Sequence, residues 1–176
     1  TTLFRSRIER QRGITIFSGQ AVFSAGGKSF DLLDTPGHAD FSAEMERAVQ
    51  VMDYAVLIVS CVEGVQGHTE TVWRILAQHC VPVFFFLNKT DREGADPSRV
   101  LDEIRCRLTK DAVCFDGIAD GKLPDLAVEA VAERDDRLLE YYLENGYQPE
   151  EWDKAAVRLI RERKLFPCLS GSALQD

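Results

Sequence analysis

The 176-residue chain carries 21 Lys and Arg against 29 Asp and Glu, for a formal net charge of −8. This acidity excludes the basic face with which a self-sufficient nucleic-acid-binding protein neutralises phosphates, so we do not expect DNA binding. No apolar run is long enough to span a membrane. Five cysteines without a C-x-x-C pair are typical of reduced, mostly buried thiols in a cytoplasmic protein.

The predicted elements alternate between strands and helices after a polar, Arg-rich lead-in over residues 1–13. Two strands, 14–23 and 30–33, are joined by a glycine turn into a hairpin. The remaining elements are a helix after His38, a strand at 55–59, a helix at 69–79, a strand at 81–87, a helix from Pro97, helices at 135–144 and from Pro149, and a strand at 165–169. This alternation predicts an α/β fold with a doubly wound, mostly parallel sheet, interrupted by an insertion at about 110–164.

The apolar run at 30–33 predicts a buried strand that ends at Asp34-Thr35-Pro36-Gly37. A carboxylate at a strand end with a glycine three positions later suits Mg²⁺-linked phosphate binding, in which the Gly37 N–H meets a terminal phosphate. By itself the pattern is weak, because many strand-to-helix turns carry it. Asp34, Thr35 and Gly37 are therefore candidate ligands, and the case for them depends on finding matching binding residues in the other loops.

The segment Asn88-Lys89-Thr90-Asp91 follows another buried strand. A carboxylate at Asp91 can accept from both N1–H and the 2-amino group of guanine, which adenine does not offer. The Lys89 stem can lie over the base, Asn88 can brace the neighbouring loops, and Ser172-Ala173 after the last strand can give a backbone N–H to guanine O6. The alternative is an ordinary strand-to-loop turn. Three such loops in this order favour one nucleotide site along the carboxyl edge of the parallel sheet.

Two further residues are candidates because of their neighbours. Thr15 lies beside Gly13-Ile14, which suits a switch segment whose threonine closes on Mg²⁺ when a γ-phosphate is present. The alternative is a loop entering a strand. His38 follows Gly37 directly, so its imidazole can reach an attacking water, whereas the alternative is a solvent-facing histidine at a helix start.

The segments R-G-I-T-I, D-T-P-G-H, N-K-T-D and G-S-A-L, in this order, resemble the GTP-binding domain of translational GTPases of the elongation factor G kind. Within that class the chain is most similar to the tetracycline-resistance ribosomal-protection proteins, on residues 9–16, 85–89, 135–140 and 165–167. The resemblance covers nearly the whole chain from Ile8 on. It implies a partial GTP-binding domain of the P-loop NTPase fold over residues 1–176.

The resemblance also implies a function: a cytoplasmic GTPase that couples GTP hydrolysis on the ribosome to release of tetracycline. Its cofactors would be GTP or GDP and Mg²⁺, with Thr15 and, through water, Asp34 near the metal. His38 would orient the water and Ile14 would fence it off. The guanine would be held by Asn88, Lys89, Asp91, Ser172 and Ala173.

One departure from the family is the phosphate loop G-x-x-x-x-G-K-T, which the chain does not contain, although Thr1-Thr2-Leu3 matches the tail of such a loop. Either flanking residues supply the loop, its strand and its helix, or the sheet lacks a central strand. We expect this segment by itself to bind GTP weakly and to be inactive. Two alternatives remain open: an elongation factor G or release-factor type GTPase of ordinary translation, and a guanine-nucleotide or ribosome-binding module without turnover.

Overall fold

A computed structural model describes residues 19–35, 42–118 and 122–174. The chain divides into two compact units, Thr1–Met52 and Asp53–Asp176. Within the described residues, no helix combines the length and apolar character that crossing a membrane requires.

The first unit contains a hairpin of two strands, β1 (Gly19–Ala25) and β2 (Lys28–Asp34), followed by helix α1 (Ser42–Val49). Ala25 pairs with Lys28 across a two-residue turn in which Gly26 and Gly27 take φ values of 55° and 73°. Positive φ at both turn positions matches the right-handed twist of the strands, which is why glycine suits this turn. The part of the predicted first strand before Gly19 lies outside the described residues.

The prediction that β2 is a buried strand is wrong. Phe30 is 43% exposed and Leu32 is 53% exposed, and Phe30 stacks on Phe23 with ring centroids 5.1 Å apart. Among the described residues β2 pairs with β1 alone, in an antiparallel two-stranded sheet. An apolar run predicts a strand, but burial also requires a second layer over it, and the exposure of Phe30 and Leu32 shows that none of the described residues covers these side chains.

The second unit is built on a four-stranded parallel sheet with the order β3-β4-β6-β5. Its elements are β3 (Ala55–Ser60), α2 (Gly67–Gln78), β4 (Val83–Asn88), α3 (Pro97–Arg107), β5 (Ala112–Cys114), α4 (Asp125–Ala132), α5 (Asp136–Asn145), α6 (Pro149–Arg161) and β6 (Phe166–Ser170). The predicted parallel α/β sheet is confirmed.

Helices lie on both faces of this sheet, and alternate residues of β4 point to opposite faces. The cover is incomplete at β3, where Val56 and Ile58 are 62% and 61% exposed. Phe85 is fully buried and lies 5.6 Å from the Trp73 ring of α2. Phe84, its neighbour, packs against a cluster formed largely by α4 and α6. At the centre of that cluster, the fully buried Trp152 donates its indole N–H to the Val128 carbonyl at 2.9 Å. The sheet is therefore doubly wound.

Two elements of the region 110–164 were missed from the sequence. Residues 112–114, for which no strand was predicted, form β5 and pair with β6, with Cys114 opposite Cys168. The run at 125–132 forms α4, with five buried residues in eight. A three-residue strand is too short for a period to be visible, and a helix that is apolar on most sides has no polar stripe to define one.

All five cysteines are free, and only Cys61 and Cys168 are buried, while Cys80 and Cys106 are exposed. The expectation of mostly buried thiols is therefore wrong. Burial raises the pKa of the Cys168 thiol to about 12, so this sulfur lies protonated within the sheet at neutral pH.

Candidate functional site

The carboxyl ends of β4 and β6 form one edge, because the two strands are parallel neighbours with Leu87 opposite Ser170. The loops that follow them are joined by backbone hydrogen bonds. Gly171 donates its N–H to the Leu87 carbonyl at 3.0 Å, and Thr90 donates to the Gly171 carbonyl at 3.3 Å. The two predicted guanine segments therefore lie side by side.

The Asn88 side chain links these two loops. Its amide oxygen accepts from Lys89 N at 2.8 Å and from Ala173 N at 3.1 Å. The Ala173 N–H, which the sequence assigned to a base carbonyl, is thus already paired. It can serve a ligand oxygen only by sharing or exchanging the bond to Asn88, and a shared N–H makes each bond weaker.

The backbone of Lys89 is strained, because its φ is 69°, in the left-handed region that a residue with a Cβ occupies at a cost of about 1–2 kcal/mol. Such strain persists where the surroundings over-determine it, and it clusters at ligand sites. The Lys89 ammonium lies 3.5 Å from a Glu63 carboxylate oxygen, with both side chains about half exposed. An ion pair so exposed contributes little, so the lysine stem is free to move onto a ligand.

The Asp91 carboxylate lies beside the Ser172 side chain of the other loop. Its side chain retains 15% of its accessible surface, although the residue as a whole is exposed through its backbone. A hydrogen bond from the Ser172 side chain lowers the pKa of Asp91. The group is ionised at neutral pH and accepts only, and a carboxylate has about four lone-pair positions, so accepting positions remain for a ligand with paired donors.

Asp116 contacts the same edge, and the sequence did not single it out. Its Oδ1 accepts from Ser170 N and its Oδ2 accepts from Ser170 Oγ, both at 2.6 Å. Asp116 stands before Gly117, just beyond the end of β5. An Asp-Gly pair is an ordinary turn signal, so the sequence contains no pattern that connects it to Ser170.

The predicted phosphate and metal residues belong to the first unit. Asp34 is the exposed last residue of β2 and Thr35 is half-buried. Ile14, Thr15, Gly37 and His38 lie outside the described residues, so their roles stay predictions. The expectation that all three loops end strands of one parallel sheet is wrong for the described residues, because β2 is a strand of the antiparallel hairpin.

A metal cage made of protein side chains is absent from the described residues, where no three His, Cys, Asp or Glu side chains cluster. A lone carboxylate such as Asp34 fits Mg²⁺ held mainly by phosphate oxygens and water, which is how proteins commonly bind this ion beside nucleotides.

Comparison with known proteins gives a family and several relatives. The family model of the elongation factor Tu GTP binding domain matches residues 1–176. The chain is 42% identical to the oxytetracycline resistance protein of Streptomyces rimosus, over 99% of the chain and 29% of that protein. It is 40% identical to the tetracycline resistance protein TetM of Streptomyces lividans, over 95% of the chain and 28% of that protein. It is 34% identical to TetO of Streptococcus pneumoniae, over 94% of the chain and 27% of that protein.

A crystal structure of a protein from Thermus thermophilus matches with a TM-score of 0.83 at 25% identity, over 98% of the chain and 32% of that protein. The chain thus spans less than a third of the length of the curated relatives that it matches.

Replacing Ser172 tests the link between the two loops. We expect Ser172→Ala to raise the pKa of Asp91 towards its ordinary value of about 3.9, because the Ser172 hydrogen bond is the main cause of the lowering. The same bond stabilises the folded chain above that ordinary pKa, and its contribution is lost as the pH falls through the lowered one. NMR titration of the Asp91 carboxyl carbon measures this, with the exposed Ser98→Ala as control. An unchanged Asp91 titration in Ser172→Ala would contradict the contact.

Proposed function

Because the chain belongs to the elongation factor Tu GTP-binding domain family, we propose that the protein containing it is a GTPase that acts on the ribosome and uses hydrolysis to release bound tetracycline. A guanine nucleotide is the ligand of the family. The joined loops after β4 and β6, with the acceptor Asp91 at their junction, are the observation that carries the proposal. Identities of 34–42% to three tetracycline resistance proteins support the drug-related role.

Guanine selectivity is assigned to the edge beyond β4 and β6. Asp91 accepts from N1–H and the 2-amino group of the base, which form two donors in one plane. Lys89 lies along one face of the base. Ala173 shares its N–H between O6 and the Asn88 side-chain oxygen, and the bonds of Gly171 to Leu87 and of Thr90 to Gly171 keep the two loops together. Adenine has an acceptor at N1 and no 2-amino group, so it would leave the Asp91 carboxylate unpaired, which costs affinity.

Hydrolysis is assigned to residues of the first unit. Mg²⁺, held near Thr15 and through water by Asp34, would neutralise charge on the phosphate oxygens. Thr35 offers its hydroxyl to the bound nucleotide, and Gly37 gives its N–H to the γ-phosphate. His38 orients a water whose oxygen attacks the γ-phosphorus as the bond to the bridging oxygen breaks, so that GDP and phosphate leave. Ile14 keeps the water off until the partner binds.

The partner is the ribosome, engaged through the full-length protein in the cytoplasm, with no DNA or membrane involved. The test is to incubate the full-length protein with ribosomes carrying labelled tetracycline and to measure GTP hydrolysis and drug release together. GTP-dependent release supports the proposal. Stimulated hydrolysis without release indicates a factor of ordinary translation, and nucleotide binding without hydrolysis indicates a binding module.

His38 supplies the sharpest test of the hydrolytic step. In the full-length protein, we expect His38→Ala to slow ribosome-stimulated single-turnover hydrolysis by roughly 10²-fold or more and to leave GTP affinity nearly unchanged, because a group that positions the water does not hold the ground-state nucleotide. The matched control is His79→Ala, an exposed histidine at the end of α2. Hydrolysis equal in the two variants would exclude His38 from the chemistry.

A substitution at Asp91 tests whether this residue recognises the guanine base. In the full-length protein, Asp91→Asn should reduce GTP affinity by at least about tenfold, because the asparagine turns an acceptor into a donor opposite the 2-amino group. Xanthosine triphosphate, which carries an oxygen there, should recover part of the loss. Displacement of a fluorescent guanine nucleotide measures both affinities, with Asp102→Asn, whose side chain is 74% exposed on α3, as control. Equal GTP affinity in wild type and Asp91→Asn would mean that Asp91 does not face the base.

A further inference from the structure

The carboxylate of Asp116 continues the pairing between β5 and β6 beyond the end of β5. The last backbone bond between these strands runs from Phe115 N to the Cys168 carbonyl at 2.8 Å. The next N–H along β6 on that side, that of Ser170, donates to Asp116 Oδ1 instead of to a strand carbonyl, and the Ser170 hydroxyl donates to Oδ2. Two short bonds of 2.6 Å converge on this one carboxyl group, and hydrogen bonds to a carboxylate are stronger than those to a neutral acceptor.

This clamp acts at the residue from which the β6 loop departs. On its β4 side the loop is held by Gly171 N to Leu87 O and by Ala173 N to Asn88 Oδ1. On its β5 side, the part of the chain that the structure describes offers Asp116 and no other hydrogen-bond partner. Without Asp116, Ser170 would lose its side-chain acceptor and its backbone acceptor together, and the start of the loop would be tied to β4 alone.

We propose that Asp116 is a positioning residue of the guanine site. It fixes Ser170 from the β5 side, which keeps Ser172 against Asp91 and keeps the Ala173 N–H at the base-facing edge. The inference rests on the proposed guanine-binding function and adds to it a residue that contacts no nucleotide. A purely structural carboxylate would affect stability alone, whereas this one affects how well the site distinguishes guanine from a base without the 2-amino group.

Asp111 provides a matched control, because it precedes the other end of β5. Its carboxylate is also paired, with Arg134 at 3.1 Å, but it does not contact the β6 loop. Asp111→Ala therefore removes a hydrogen-bonded carboxylate from the same strand at the end remote from the site. Asp116→Asn is the conservative variant, because its amide oxygen can still accept from Ser170 N and its NH₂ can donate to the Ser170 hydroxyl.

The experiment measures, in the full-length protein, the dissociation rate of a fluorescent GDP, the ratio of the affinities for GDP and inosine diphosphate, and the thermal unfolding midpoint. We expect Asp116→Ala to speed GDP dissociation about tenfold, as the loss of hydrogen bonds to a charged group predicts, and to reduce the preference for GDP over inosine diphosphate. Asp116→Asn should stay within about threefold of wild type. Asp111→Ala should keep the wild-type rate and ratio even where its unfolding midpoint falls.

Two outcomes would overturn the inference in distinguishable ways. If wild type prefers GDP over ADP and inosine diphosphate, but Asp116→Ala matches Asp111→Ala in rate and ratio, then Asp116 is structural only. If wild type itself shows no preference for GDP over ADP, the proposed guanine site fails, and the positioning role fails with it.

Discussion

The Asn88 side-chain oxygen accepts two backbone N–H groups, one from Lys89 on its own loop and one from Ala173 on the loop after β6. A single acceptor can reach both only because β4 and β6 are parallel neighbours in register. Both bonds lie at an exposed edge, where water can replace a lost partner, so each contributes about 0.5–1.5 kcal/mol. The bond from Lys89 N to the Asn88 side chain also helps to hold the left-handed backbone of Lys89. The strained turn, and with it the position of Asp91, therefore depends on the order of the strands.

That strand order is set by apolar packing well away from the polar edge. On one face Trp73, Phe85 and Phe166 contact one another, with the Trp73 and Phe166 rings 5.0 Å apart. The guanidinium of Arg163 lies over the Trp73 and Phe166 rings, and burial lowers its pKa. On the opposite face, Phe84 and Leu169 pack against the cluster around Trp152, while Val56 and Ile58 of β3 stay exposed. These layers hold β6 between β4 and β5. The polar side chains that can bind a ligand therefore lie in the loops at the carboxyl ends of the strands, as in other parallel sheets.

The sequence was informative where a signal is local. The continuous apolar runs of β3 and β4 and the N-K-x-D spacing could be interpreted from a few adjacent residues. It was uninformative where the signal lies in the tertiary fold. Asp116 and Ser170 are brought together only by pairing of a three-residue strand, and no spacing encodes that contact. Phe30 and Leu32 are exposed because no second layer of the described residues covers them, which a run of apolar residues does not reveal. The pairing of the Ala173 N–H with Asn88 depends on the register of two strands far apart in the chain.

The central claim is that the edge beyond β4 and β6 selects guanine, and a crystal structure of the full-length protein with GDP tests it most directly. The account predicts both Asp91 carboxylate oxygens within hydrogen-bonding distance of guanine N1 and N2, the Ala173 N–H directed at O6, and the Asp116–Ser170 bonds retained. A base bound elsewhere, with the Asp91–Ser172 contact unchanged and no nucleotide beside Lys89, would contradict it.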